Sequence, residues 1–193
     1  TTNPLSTLVS ILKGRGAPQS RAPHNDGARV ALVVEGGAMR GVISAGMVSG
    51  LEALGLTNAF DVVYGSSAGA ISAAYFLAGQ AALGTTIYYE DINRRQFISR
   101  MRMVTGAPVV DLQFLVDDVM VHRKPLDVER VLAARRPLSV LATDVKSGQN
   151  AVLDGFKTRA ELLSALRAGA TMPVIAGAPW RHGAGEYLDA ALT

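Results

Sequence analysis

The sequence predicts an α/β fold, a three-layer α/β/α sandwich around a mainly parallel central sheet. Short β-branched runs alternate along the chain with longer segments of helical spacing, the pattern of strand–crossover–strand units. Two of these runs end in glycine-rich turns that lead directly into a helix. Of 193 residues, 49% are hydrophobic and 18% charged, which suits one domain with a sizeable buried core.

Residues 1–28 read as an N-terminal arm and linker. PLSTLVSILK (4–13) sets Leu5, Leu8, Val9 and Leu12 on one helical face, and GRGAPQSRAPHNDGA (14–28) is rich in Gly, Pro and polar residues. We expect this arm to be mobile. No basic segment precedes its apolar stretch and no small-residue cleavage site follows, so a signal peptide is not indicated and a cytoplasmic location is expected.

The domain proper is expected over 29–193. RVALVVEGG (29–37) is a strand running into glycines, and 42–55 has helical spacing with the small residues Ala45, Gly46 and Ser49 on its packing face. A strand at 60–64 and a helix from 68 follow. Helical patterns cover 93–104, 111–121 and 127–134. PLSVLATDV (137–145) and QNAVLDG (149–155) are a pair of strands, RAELLSALRAGA (159–170) a helix, and EYLDA (186–190) a last short strand. From Val62 to Tyr89 there is no charged residue. Glycines, serines and Gln80 interrupt that stretch, so it reads as a buried strand–turn–helix and not as a membrane span.

Formal charge is +3, with basic residues grouped at 94–102, 122–124 and 134–136. Two readings stand: solvated helix faces, or peripheral contact with anionic headgroups. RRQFISRMRMV (94–104) is the sharpest case, a lid or membrane-facing helix on one reading and a buried amphipathic helix on the other. No nucleic-acid-binding motif accompanies these groups, so no nucleic-acid partner is expected. With no cysteine there are no disulfides or thiolate zinc sites. His24, His122 and His182 show no metal-ligand spacing, so no metal site is expected.

Chemistry concentrates in two loops. Gly65-Ser66-Ser67-Ala68-Gly69 fits G-x-S-x-G, in which a sharp strand-to-helix turn presents a serine hydroxyl and the glycines Gly65 and Gly69 relieve crowding. The plain alternative is a tight turn whose Ser67 merely caps the helix. EGGAMRG (35–41) also joins a strand to a helix. It fails as a phosphate loop, because Val42-Ile43 stands where Lys-Ser/Thr belongs. Its backbone N–H groups suit another anion, the oxyanion of an acyl-transfer intermediate. Two such loops at one edge of adjacent parallel strands mark the edge where α/β sheets bind ligands. For the base, the chain offers a Ser67–Asp154–His182 triad in hydrolase order, or Asp189 acting directly.

Together EGGAMRG, GSSAGA and LDAA, in that order, resemble the glycine-rich loop, nucleophile elbow and D-G-[GA] motif of the patatin-like phospholipases. Stretches such as LSVLATDV and LRAGATMPVIAG resemble a bacterial branch of that family, from about Arg29 onward. The resemblance implies the patatin-like version of the sandwich and a lipid acyl hydrolase needing no cofactor, with lipid or acyl-ester substrates. It implies a Ser–Asp dyad in which Ser67 is the nucleophile and Asp189 the base. The backbone of Gly36, Gly37 and Ala38 would form the oxyanion hole, and Arg40 would support that loop. Two positions depart from the pattern: Ala38 replaces a third glycine, and Ala190 replaces the glycine after the catalytic Asp. Alanine strains the backbone if either position needs φ > 0, and a catalytically impaired lipid- or protein-binding member is the alternative this raises. Family members generally continue beyond this Asp, so a missing or separate C-terminal segment is expected.

Overall fold

The computed structural model describes residues 3–16 and 24–193; most of the expected linker, residues 17–23, lies outside them. Helix α1 (Pro4–Arg15) starts where Asn3 caps it, its side chain accepting from the Leu5 N–H, with Pro4 in the first turn. The arm, expected to be mobile, is pinned at its far end. Buried Arg15 donates to Asp26 and Asp61 and to the carbonyls of Ala28 and Ala59. An apolar-stripe reading of 4–13 misses this anchor, because Arg15 finds its partners 11 to 46 residues away.

The sheet is built from β1 (Ala31–Val34), β2 (Val62–Ser66), β3 (Leu138–Asp144), β4 (Asn150–Leu153), β5 (Trp180–His182) and β6 (Gly185–Asp189). Strands β1, β2 and β3 are parallel neighbours. The connections between them carry α2 (Gly41–Ala53), then α3 (Ala68–Leu77), α4 (Ala81–Thr86) and α5 (Val128–Leu132); α6 (Arg159–Gly169) joins β4 to β5. The result is the expected α/β/α class: a mixed sheet flanked by helices, parallel in the strands that carry both glycine loops. Strands β4, β5 and β6 pair antiparallel to their neighbours.

One pairing detail positions the site. Val140 and Leu141 each pair with β2 and β4, so those two strands lie on opposite edges of β3. Ala142 and Thr143 each pair with β4 and β6, which puts β6 on the same edge as β2. Strand β2 ends opposite Leu141 at Ser66, and Asp189 lies opposite the next residue, Ala142. The ends of β2 and β6 therefore meet head to head along one strand.

The core fills one face of this sheet with Val34, Val63, Val140 and Leu153, against α3. Every residue from Gly69 to Leu77 is buried, which accounts for the charge-free stretch: a helix apolar all round is a central helix. Among the described residues no helix is long and apolar enough to cross a membrane. The expected helix at 93–104 does not form as such. Ser99 donates to the Val109 carbonyl and Asp111 to that of Phe97, making a short hairpin whose tip is a 3-10 turn, Arg100–Thr105. Burial of Phe97 under this hairpin overrides the helical spacing. Residues Phe114–Arg123 are π-helical, α4 and a π-helical turn at Ile87–Asp91 were not anticipated, and His182 ends the first strand of a β-hairpin formed by β5 and β6.

Candidate active site

Ser67 closes β2 and opens α3 with φ 53° and ψ −129°, a conformation that costs an L-residue free energy. It makes no side-chain cap bond to the helix it precedes, so its hydroxyl is not spent on the capping role. The elbow is held by close packing. A Cβ on Gly69 would come within 2.2 Å of the Val34 carbonyl oxygen, so only glycine lets α3 cross the end of β1 there. Gly65 is buried on β2 opposite Val34. Tyr88 fixes the start of α3, its hydroxyl donating to the Ala68 carbonyl and lying 3.1 Å from Ser72 Oγ. Burial pushes that phenol above its ordinary pKa, so it stays a neutral donor.

The second loop leaves β1 and lies against the elbow. A Cβ on Gly36 would stand 2.7 Å from both Ser66 O and Ser67 Cβ. Gly37 has φ 137° and leads into a 3-10 turn, Ala38–Arg40. The first N–H groups of such a turn have no acceptor within it, and here they open beside Ser67. Ala38 adopts φ 50°, so the conditional strain expected at this position is present; Ala190 is not at positive φ. The Arg40 side chain folds back over Gly37, its Nε 3.6 Å from where a Cβ would be.

Asp189, the last residue of β6, is buried and firmly held. Its N–H donates to Thr171 O at 2.9 Å, and its carbonyl accepts from Thr143 Oγ1 at 3.0 Å. Carboxylate Oδ1 accepts from the Ala191 N–H, while Oδ2 has no hydrogen-bond partner among the described residues. Ser67, Asp189, Gly36, Gly37, Ala38 and Arg40 all line one cavity of about 510 Å³. No hydrogen bond joins the Ser67 and Asp189 side chains among the described residues. Such contacts are commonly long until a substrate is bound.

Ser67 also lines a second cavity, of about 150 Å³, whose walls are almost wholly apolar. Met39, Ile71, Ile87, Phe97, Leu115 and Ile175 are among its lining residues. The serine thus stands at the junction of a polar chamber and an apolar one. His182 and Asp154 are together elsewhere, in a cavity shared with Glu161 and Ser164 that Ser67 does not line. His182 pairs with Gly185, at the opposite end of β6 from Asp189, roughly 13 Å of strand away. Partial burial, opposed by nearby Glu161, lowers its pKa below the ordinary imidazole value.

Sequence reasoning missed the apolar chamber. Most of its walls come from 84–115 and 170–176, segments with no shared spacing, and the rest from the two turns at 38–39 and 67–71; the only signal of the larger part was its density of Ile, Leu, Met and Phe.

A family model described as patatin-like phospholipase matches residues 32–193. The uncharacterized protein YjjU of Escherichia coli (strain K12) is 33% identical over 109 residues. That stretch is 56% of this chain and 30% of the relative, so the aligned part spans under a third of that protein's length.

Proposed function

Since the chain belongs to the patatin-like phospholipase family, a family of lipid acyl hydrolases, we propose that it cleaves acyl esters of lipids through a Ser67–Asp189 dyad. The observation that carries this is the position of Ser67 between two chambers. One is lined by an acid with a free oxygen and by a glycine loop; the other is apolar enough for an acyl chain.

Asp189 Oδ2 takes the proton from Ser67 Oγ as the oxygen attacks the ester carbonyl carbon. The carbonyl oxygen becomes an oxyanion against the N–H groups of Gly37 and Ala38, aided by the N-terminus of α3. Collapse breaks the bond to the alcohol, which leaves with the proton held by Asp189. Water then gives a proton to Asp189 and attacks the acyl-serine; the bond to Ser67 Oγ breaks, Asp189 returns the proton to that oxygen, and the carboxylic acid is released. The acyl chain lies among Ile71, Ile87 and Leu115 throughout, and the headgroup side opens past Arg40. Lipid substrates of this kind bring the enzyme into peripheral contact with a lipid surface.

The test is covalent labelling. A fluorophosphonate is expected to modify Ser67, with the site read by peptide mass spectrometry, and Ser67→Ala to abolish both labelling and ester hydrolysis with the fold intact. Hydrolysis surviving in Ser67→Ala refutes the proposal.

A further inference from the structure

We propose that the rim of the apolar chamber is a docking face for an anionic lipid bilayer, formed by the hairpin tip at 94–106 and the loop at 172–177. The purpose of such docking rests on the hydrolase reading above; the docking itself requires no turnover.

Both segments have two sides. Phe97, Ile98 and Val110 of the hairpin, with Met172 and Ile175 of the loop, line the chamber. The Val110 N–H donates to the Ile175 carbonyl at 2.8 Å and joins them into one rim. Outward, the same segments expose Met101 at 74%, Val104 at 80% and Val174 at 82%. Large apolar side chains grouped at one mouth mark an interaction surface, whereas scattered ones do not. Val174 adds a second sign. It is β-branched and at φ 65°, a conformation such residues avoid and keep only where the surroundings impose it. Here the strained residue holds an isopropyl group in water.

Charge selects the occupant. From Ile92 to Val110 there are four arginines and no acid. Arg102 is used inside the hairpin, donating to the Gln96 and Phe97 carbonyls and lying 3.4 Å from Asp111. Arg94, Arg95 and Arg100 are exposed and make no ion pair among the described residues. Methionine and valine tips between arginines match the boundary of a bilayer, where apolar groups enter the acyl layer and cations meet phosphate. The one aromatic of the tip, Phe97, points inward, so no ring is offered for stacking on a nucleic-acid base.

The experiment uses the full chain with Ser67→Ala, so that no lipid is consumed, in co-sedimentation with phosphatidylcholine vesicles and with phosphatidylcholine/phosphatidylglycerol vesicles. Binding is expected to favour the anionic vesicles and to weaken with salt. Arg94→Gln/Arg95→Gln/Arg100→Gln is expected to lower partitioning about fivefold per arginine, on the order of a hundredfold in all, and to remove most of the salt dependence. Met101→Ser/Val104→Ser is expected to weaken binding to both lipids and keep the salt dependence. With Ser67 restored, both variants should hydrolyse a water-soluble short-chain ester at the wild-type rate. Equal binding to the two vesicle types, or wild-type partitioning by the arginine variant, overturns the docking face whatever Ser67 does. Anionic-vesicle binding with no hydrolysis of any ester would instead defeat the hydrolase reading and leave the face standing.

Discussion

Gly36→Ala is the sharpest test of the loop assigned to the oxyanion. Gly36 does not adopt positive φ, so alanine meets no backbone penalty there and the substitution reports close approach alone. The added Cβ would fall 2.7 Å from Ser66 O and from Ser67 Cβ, about 0.7 Å short of ordinary contact at 3.4 Å. Neither neighbour is the end of a flexible side chain, so the loop and the elbow must separate by most of that distance. The same separation draws the Gly37 and Ala38 N–H groups away from the point where the oxyanion forms. Misplacement by about 1 Å costs on the order of a hundredfold, and loss of one oxyanion donor costs about a hundred- to a thousandfold. We therefore expect kcat for a water-soluble aryl ester to fall roughly a hundredfold. Overpacking should cost about 1–3 kcal/mol of stability, a fall in Tm of about 3–10 °C for a chain of this size. Steady-state kinetics and a thermal melt read the two effects separately. A lowered Tm with wild-type kcat would show that the loop packs on the elbow without serving the reaction, and would refute the oxyanion assignment.

Four further outcomes follow from the same geometry. Ala38→Gly removes a left-handed alanine that costs about 1–2 kcal/mol and adds about 0.4–1 kcal/mol of unfolded-chain entropy, so urea denaturation should show a net gain of about 0.5–1 kcal/mol; a loss would mean that φ 50° is not strained there. Asp189→Asn should lower kcat by about three orders of magnitude or more while His182→Gln leaves it near wild type, and the reverse ranking would restore the triad. Leu115→Phe narrows the apolar chamber and should lower the ratio of kcat/KM for long against short acyl esters about tenfold; an unchanged ratio would move the acyl chain elsewhere. Arg15→Met should lower Tm by on the order of 5 °C at neutral pH, with a particular pH dependence. The hydrogen bond from Arg15, then the Ala28 N–H, holds the Asp26 carboxyl below its ordinary value of 3.8. Burial pushes Asp61 upward, but the Val30 N–H and Arg15 outweigh it and its pKa is also lowered. Carboxyls depressed in the folded state contribute stability above their unfolded pKa and lose it as pH falls through the folded one. The gap between wild type and variant should thus hold from pH 7 to about 5 and narrow below about 4; a gap that widens in acid would contradict the pairing.

The parallel half of the fold was legible because its signals are local. A β-branched run, a glycine turn and a helix start succeed one another within a dozen residues at both 29–45 and 60–72, and each motif fell on the turn it implied. The place of Asp189 was legible only as the acid of a motif. That it meets the end of β2 depends on β6 joining the same edge of β3, a long-range pairing no local pattern encodes. The hairpin at 97–111 failed as a helix for a related reason: Phe97, Ile98 and Met101 have helical spacing, but a buried Phe97 and the backbone bonds Ser99–Val109 and Asp111–Phe97 decide the conformation. The anchoring of the arm by Arg15 escaped in the same way, since one buried guanidinium collected four partners from two separate stretches, 26–28 and 59–61.

Backbone strain links the two proposals. Among the described residues nine glycines take positive φ, the ordinary solution where a turn demands it. Three other residues do so: Ala38 at 50°, Ser67 at 53° and Val174 at 65°. Each has a place at the apolar chamber. Ala38 and Ser67 line it, and Val174 lies between Met172 and Ile175, which do. Glycine would relieve each position, so a side chain must be wanted where the geometry favours none. For Ser67 that side chain is the nucleophile itself. For Val174 it is an apolar group held at the rim, where the bilayer is expected to meet the protein. Only Ala38 lacks a chemical need for its methyl beyond the wall it adds to the chamber, so it is the residue from which strain can be removed at least cost to the reaction.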